Sequence, residues 1–209
     1  MSADDEGPHG LISLNLPADV PAPRVPAGVR VRSSRARGTF VETSFTVPGD
    51  DPLAFARFLA EVLPAWEHTI AQIDGFDRDR LSVALWMLPA PSVVRLPWSS
   101  WAPWARVMGG FWLEGTPPEQ GGDEDVIRIS CIDPGGEVIA EGETRGNDYD
   151  ERQERLATLI HGTTKTAAAG STLRLDLFPR GGIAGLVINV SELDALAAVR
   201  MDIEIQTHL

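Results

Sequence analysis

The side chains able to do acid–base, nucleophilic or metal chemistry are few in this 209-residue chain and widely spaced. His9 lies near the start and His208 one residue from the end, leaving His68 and His161 as the internal imidazoles. Neither has a metal-ligating residue three or four positions on, so no helical metal pair forms. His68 sits beside Glu67 on the helix face turned away from Phe55 and Leu59, a solvated position. His161 falls at the end of a helical stretch, where a cation suits the macrodipole. General-base chemistry at His161 would need a nucleophile such as Thr163 or Thr164 and an orienting acid, and the spacing supplies no such constellation. Cys131, the only cysteine, lies in an apolar run; it is expected as a buried inert thiol, with no internal disulfide and no thiolate cluster.

Two further patterns resemble functional motifs without meeting their requirements. Gly162-Thr-Thr-Lys-Thr-Ala-Ala-Ala-Gly170 joins Gly, Lys and Thr, but it follows a helix and precedes a strand. A phosphate loop must lead into a helix whose first amides face the phosphate, so a connector is expected here. Carboxylates pair at Glu141 with Glu143, Asp148 with Asp150, Asp123 with Asp125 and Asp202 with Glu204. Residues two apart on a strand share one solvated face, which is not the cleft-spanning geometry that glycosidase chemistry needs. Glu137, Glu141, Glu143, Asp148, Asp150, Glu151 and Glu154 form an acidic surface suited to steering a basic protein.

The most concentrated feature is aromatic. Four of the six tryptophans, Trp98, Trp101, Trp104 and Trp112, fall in a stretch punctuated by Pro and Gly. Each indole buries roughly 150–250 Å² when packed, so the segment must cover a core, a ligand or a partner. The three-residue spacing aligns Trp98, Trp101 and Trp104 in a polyproline II conformation and lets them drift slowly round a helical turn; Phe111 and Trp112 extend the surface. The two readings are a lid over the core beside Trp66 and Trp86, and a binding surface.

These residues must be positioned by elements legible from periodicity. Residues 1–27 hold five prolines and read as a flexible arm that docks in part through Leu11, Ile12, Leu14 and Leu16; residues 28–209 read as one compact domain, with halves 28–90 and 124–209 joined by the Trp/Pro/Gly-rich segment 91–123. Val29–Arg32 and Phe40–Val47 look like strands. Asp50-Asp51-Pro52 opens a helix carrying Phe55, Leu59, Val62, Trp66, Ile70 and Ile73, with a kink or restart expected at Pro64. Leu81–Leu88 reads as a strand. Asp125–Ile132 and Glu137–Glu143 form a hairpin about Asp133-Pro-Gly-Gly136. Asp148 and Glu151 make a capping box for a helix holding Tyr149, Arg152, Leu156, Leu159 and Ile160 and ending at Gly162. Leu173–Leu177 and Ile183–Val190 are strands, Ser191 and Asp194 cap a short helix, and Met201–Ile205 is a strand with two carboxylates outward. The class expected is α+β with mainly antiparallel sheets and two to three helices, and the order of elements suggests a pseudo-repeat of ββαβ units.

Composition bounds the role. With 43% apolar residues the chain can bury a substantial core, and its net charge of −12 disfavours phosphate-backbone and membrane-surface binding. Arg24, Arg30, Arg32, Arg35 and Arg37 run against that field in one short stretch, where ion pairing with the acidic remainder is expected. Lys165 is the only lysine among 18 basic residues, a bias of GC-rich and thus bacterial coding. No apolar run approaches eighteen residues and the first residues lack a secretory signal, so a cytoplasmic location is expected. The strand–strand–helix–strand pattern of Leu173–Leu209 loosely resembles the ends of small bacterial α+β proteins, toxin-immunity proteins among them.

The expectation is a non-enzymatic, immunity-like or inhibitor-like protein that masks a basic protein partner through Trp98, Trp101, Trp104, Arg106, Phe111, Trp112, Glu141, Glu143, Asp148 and Asp150. It includes no metal, cofactor, nucleic acid or membrane. The alternatives are a small-molecule-binding protein or metal-free enzyme with a Trp-walled pocket under residues 88–115 and Arg106 or Arg95 as anion anchor, and a structural subunit of a larger assembly.

Overall fold

The computed structural model describes residues 9–17, 19–24, 30–34, 39–46, 51–87, 92–115, 125–145, 148–179 and 184–208; within 30–34, 39–40 and 42–44 only the backbone is described. Among these residues the fold is α+β, with four α-helices and two mixed, mainly antiparallel sheets.

The first half begins with β1 (His9–Leu16), β2 (Arg30–Ser34) and β3 (Thr39–Thr46), followed by α1 (Ala54–Ile70), β4 (Leu81–Met87), β5 (Ser92–Leu96), α2 (Trp98–Ala105) and β6 (Gly110–Gly115). The second runs β7 (Val126–Ile132), β8 (Val138–Arg145), α3 (Tyr149–Thr164), β9 (Thr172–Phe178), β10 (Ala184–Asn189), α4 (Val190–Val199) and β11 (Asp202–Thr207). The six-stranded sheet has the order β10-β6-β4-β1-β3-β2 and the five-stranded sheet β5-β11-β9-β7-β8.

Order therefore starts well before Gly28. β1 is a central strand between β3 and β4, because Ile12, Leu14 and Leu16 alternate into the core and outweigh the composition of the proline-rich stretch around them. The pairing is mainly antiparallel as expected, with two parallel pairs, β4 with β6 and β9 with β11, that need crossover connections. Each crossover consists of a strand and a helix, and its strand joins the opposite sheet: β5 pairs with β11, and β10 with β6. The outer edges of both exchanged strands are covered. The Arg95 amide donates to the Pro52 carbonyl at 2.7 Å, and the Gln153 side chain both donates to and accepts from the Val187 backbone at 2.8 and 3.0 Å.

Helix boundaries follow local chemistry, with corrections. Asp51 accepts from the Leu53 amide and pairs with Arg57 ahead of α1, and Pro64 sits inside a helix assigned without a break. Pro64 deprives the Ala60 carbonyl of its donor, and the neighbouring Leu59 carbonyl accepts the Trp104 indole N–H at 3.0 Å. Asp148 caps α3 by accepting from the Asp150 and Glu151 amides, and the helix continues through Gly162 to Thr164. α4 is capped by Asn189 and Glu192 rather than by Ser191 and Asp194. Asp194 instead binds Arg78, whose guanidinium also caps the end of α2 through the Ala105 and Met108 carbonyls. The hairpin β7–β8 turns as expected, with Gly136 at φ +90.

One hydrophobic cluster runs through both halves, and the helices touch in the order α1, α2, α4, α3. α1 seats on β1 through a glycine: a Cβ on Gly10 would overlap the Phe55 ring. Gly142 of β8 admits Leu159 of α3 in the same way. Gly10→Ala is expected to cost about 1–3 kcal/mol in urea unfolding, and Phe55→Leu, which makes room, should recover part of that loss rather than add its own full cost.

Candidate functional site

Three of the clustered tryptophans belong to the core. α2 carries Trp98, Trp101 and Trp104; Trp101 is 2% and Trp104 0% exposed. Their indole N–H groups donate to the carbonyls of Met201, at 3.1 Å, and Leu59, and Trp104 meets Trp66 edge-on with ring centroids 6.4 Å apart. Trp98 is half-buried: its amide donates to the Asp202 carboxylate at 2.6 Å, its indole donates to the Ala197 carbonyl at 3.1 Å, and the Arg200 guanidinium lies over its ring. The space among Leu59, Trp101, Trp104 and Phe111 is only about 10 Å³, too small for a ligand. Alternation along β6 turns Phe111 inward and Trp112 outward, so among Trp98, Trp101, Trp104, Phe111 and Trp112 only Trp112 is exposed; Trp86, expected beside the core, is exposed as well because it alternates outward on β4. Arg106 is exposed just past α2, and Arg95 is engaged in an ion pair.

The acidic candidates are surface groups. Glu141 and Asp150 are exposed, and Asp148 is spent on the helix cap. A hydrogen bond from Arg145 holds the Glu143 carboxyl below its ordinary range. The side chains of Arg30 and Arg32, and all of Arg35, Arg37 and Asp123, lie outside the described residues.

The scattered chemical groups do not assemble. The hydroxyls of Thr163 and Thr164 donate back to the Leu159 and His161 carbonyls, and His161 lies 3.4 Å from Glu192, which serves the α4 cap. Burial, then the charge of Asp133, pushes the Cys131 thiol pKa up. Among the described residues no three His, Cys, Asp or Glu side chains converge on a metal position, and no helix is long and apolar enough to cross a membrane.

The two sheets differ most on the faces turned away from the core. On the five-stranded sheet the register places Glu143, Arg128, Asp176 and Gln206 in one cross-strand row, and Glu141, Ser130, Arg174, Glu204 and Arg95 in the next. Glu204 lies on the outward face as the sequence suggests, but its partners bury it there. It is 6% exposed and accepts from Arg95 at 2.6 Å, Arg174 at 2.8 Å and Gln206 at 2.7 Å. Burial alone would raise its pKa; these partners outweigh burial and leave it lowered. His208 bonds Asp176 at 2.7 Å and stacks on Phe178, so this face is closed by its own charges.

The corresponding face of the six-stranded sheet is open. Ser13, Ser82, Ala84 and Gly185 form a floor of small side chains from β1, β4 and β10, and Trp86 and Trp112 stand on it, 44% and 49% exposed. In the parallel β4–β6 pairing Ala84 faces Trp112 and Trp86 faces Glu114, which sets the two indoles diagonally across adjacent strands. The first turn of α3 closes the far side with Tyr149 and Arg152, giving a cleft of about 440 Å³.

Its two charged residues are unusual. Arg152 is 6% exposed, and its Nε and Nη1 have no hydrogen-bond partner among the described residues. The Tyr149 ring lies against the guanidinium, 6.0 Å from centroid to Cζ. Burial raises the pKa of Glu114, and no salt bridge joins it to Arg152. Of the cleft lining, sequence reasoning named only Trp112 as a site residue. A signal for Arg152 existed: it shares the buried stripe of α3 with Leu156, Ile160 and Thr163.

No protein-family model, curated protein or solved structure matches this chain.

Two outcomes follow. Trp101→Ala and Trp104→Ala should each cost about 3–5 kcal/mol in chemical denaturation, whereas Trp86→Ala and Trp112→Ala should stay within about 1 kcal/mol of the parent. For Glu114, a folded-state pKa above the unfolded value favours the fold at low pH, and that contribution is lost as pH rises through the folded value. Glu114→Gln should therefore raise Tm at neutral pH, with the two melting curves converging as pH falls below about 4.5, where both folded and unfolded carboxyls are protonated.

Proposed function

We propose that the chain is a non-enzymatic binding protein that holds a small, flat, largely apolar molecule in the cleft on the outer face of the six-stranded sheet. The observation that carries this reading is the pair of exposed indoles, Trp86 and Trp112, above a floor of small residues. Large aromatic side chains on a sheet face are ordinarily covered, and two that bracket a concavity supply stacking surface to a planar guest. The volume of about 440 Å³ falls within the range of roughly 300–1,000 Å³ usual for small-molecule sites.

The masking of a basic protein partner is a second reading. It is supported by the exposed acidic residues Asp148, Asp150 and Glu151 on the α3 turn that borders the cleft. It draws no support from Trp101 or Trp104, whose indoles are enclosed.

Titration calorimetry with naphthalene-2-carboxamide, a neutral planar probe, tests the cleft. Binding is expected for the parent protein and should weaken at least about tenfold in Ala84→Phe, which fills the floor, while the control Trp101→Phe leaves affinity unchanged. Equal affinity in the parent and in Ala84→Phe would place the site elsewhere.

A further inference from the structure

We propose that the guest of this cleft is a planar aromatic monocarboxylate whose carboxylate is received by the Arg152 guanidinium; this rests on the small-molecule reading above. A guanidinium cannot shed its charge by deprotonation, so burial without an acceptor carries a lasting cost, and Arg152 is more than nine-tenths buried with two nitrogens unpartnered among the described residues. The neighbouring arginines of the fold show the ordinary outcome: Arg95 and Arg174 share Glu204, and Arg78 binds Asp194. Glu114 lines the same cleft yet makes no ion pair with Arg152, so the site retains one cation without a built-in counterion.

A planar carboxylate matches the guanidinium fork. A dianion such as a phosphate monoester would face one cation, the nearby Glu114 and a chain of net charge −12, with no second cation in the cleft lining. The aromatic body is set by the indoles, which lie on the sheet side of the same cleft as the guanidinium on the α3 side. Tyr149, 40% exposed and resting against the guanidinium, is the cover that a carboxylate displaces to engage a second nitrogen. Keeping an uncompensated charge in the empty protein lowers stability, the signature of a group retained for a ligand rather than for the fold.

Three probes of one shape separate the cases by titration calorimetry: 2-naphthoate, neutral naphthalene-2-carboxamide and 2-naphthyl phosphate. The parent should bind 2-naphthoate at least about tenfold more tightly than either other probe. Arg152→Gln should erase the preference over the carboxamide with Tm unchanged or higher, and Arg152→Lys should keep part of the preference. Naphthoate binding no more tightly than carboxamide, or a preference that survives Arg152→Gln, overturns the carboxylate assignment and leaves cleft binding standing. Phosphate preferred over carboxylate overturns the monoanion. A fall in Tm for Arg152→Gln with the preference retained marks a structural arginine and overturns the proposal. Binding of none of the three defeats both this inference and the small-molecule reading beneath it.

Discussion

The exchange of β5 and β10 between the sheets is the constraint on which the rest of the structure depends. Strand for strand, β10-β6-β4-β1-β3 and β5-β11-β9-β7-β8 pair in the same senses, each sheet completed by a strand from the other half of the chain, although β2 intervenes between β1 and β3 where β7 and β8 join directly. The exchange draws α2 and α4 together and gives the tryptophans of α2 their role. Trp98 and Trp101 donate to the end of α4 and the residue before β11, while Trp104 donates to α1. Indoles suit this junction because they combine a large apolar area with one donor, and each donor here finds a backbone carbonyl of a neighbouring element.

The shared topology makes the divergence of the two outer faces informative. The five-stranded sheet has alternating charges across its strands and satisfies them internally. At corresponding places the six-stranded sheet has Ser13, Ser82, Ala84 and Gly185, too small to cover Trp86 and Trp112. Stability alone would favour a closed face on both sheets; the open one carries exposed indoles and an uncompensated guanidinium, each a cost to the empty protein.

Much of the fold was legible in the sequence because local rules agreed with tertiary packing. The β7–β8 hairpin follows from Asp133-Pro-Gly-Gly136, α1 from its apolar spacing, and β9 from the alternation of Leu173, Leu175 and Leu177. The failures have physical causes. β1 was hidden because its burial depends on both neighbours, β3 and β4. β5 and β6 were hidden because Pro and Trp suggested irregular chain where tertiary pairing imposes strands. The cleft was illegible because it is assembled from β1, β4, β6, β10 and α3, whose adjacency follows from the exchange, and no local pattern encodes that. Arg152 showed itself only as a charge in an apolar helical stripe, which snorkelling would ordinarily explain.

The exchanged strands also order the events of synthesis. β5 is complete once residue 96 is made, yet its partner is β11, and Ser92 waits for Thr207. Until the last strand emerges, Val93, Val94 and Leu96 present an unpaired apolar edge on a nascent chain that has otherwise finished its first helix and several strands. Such long-range pairing slows folding and leaves an edge open to other chains in the interval. A chain built this way leaves β5 without its partner until β11, more than a hundred residues on, has been made, so the edge stays open through the synthesis of the whole second half.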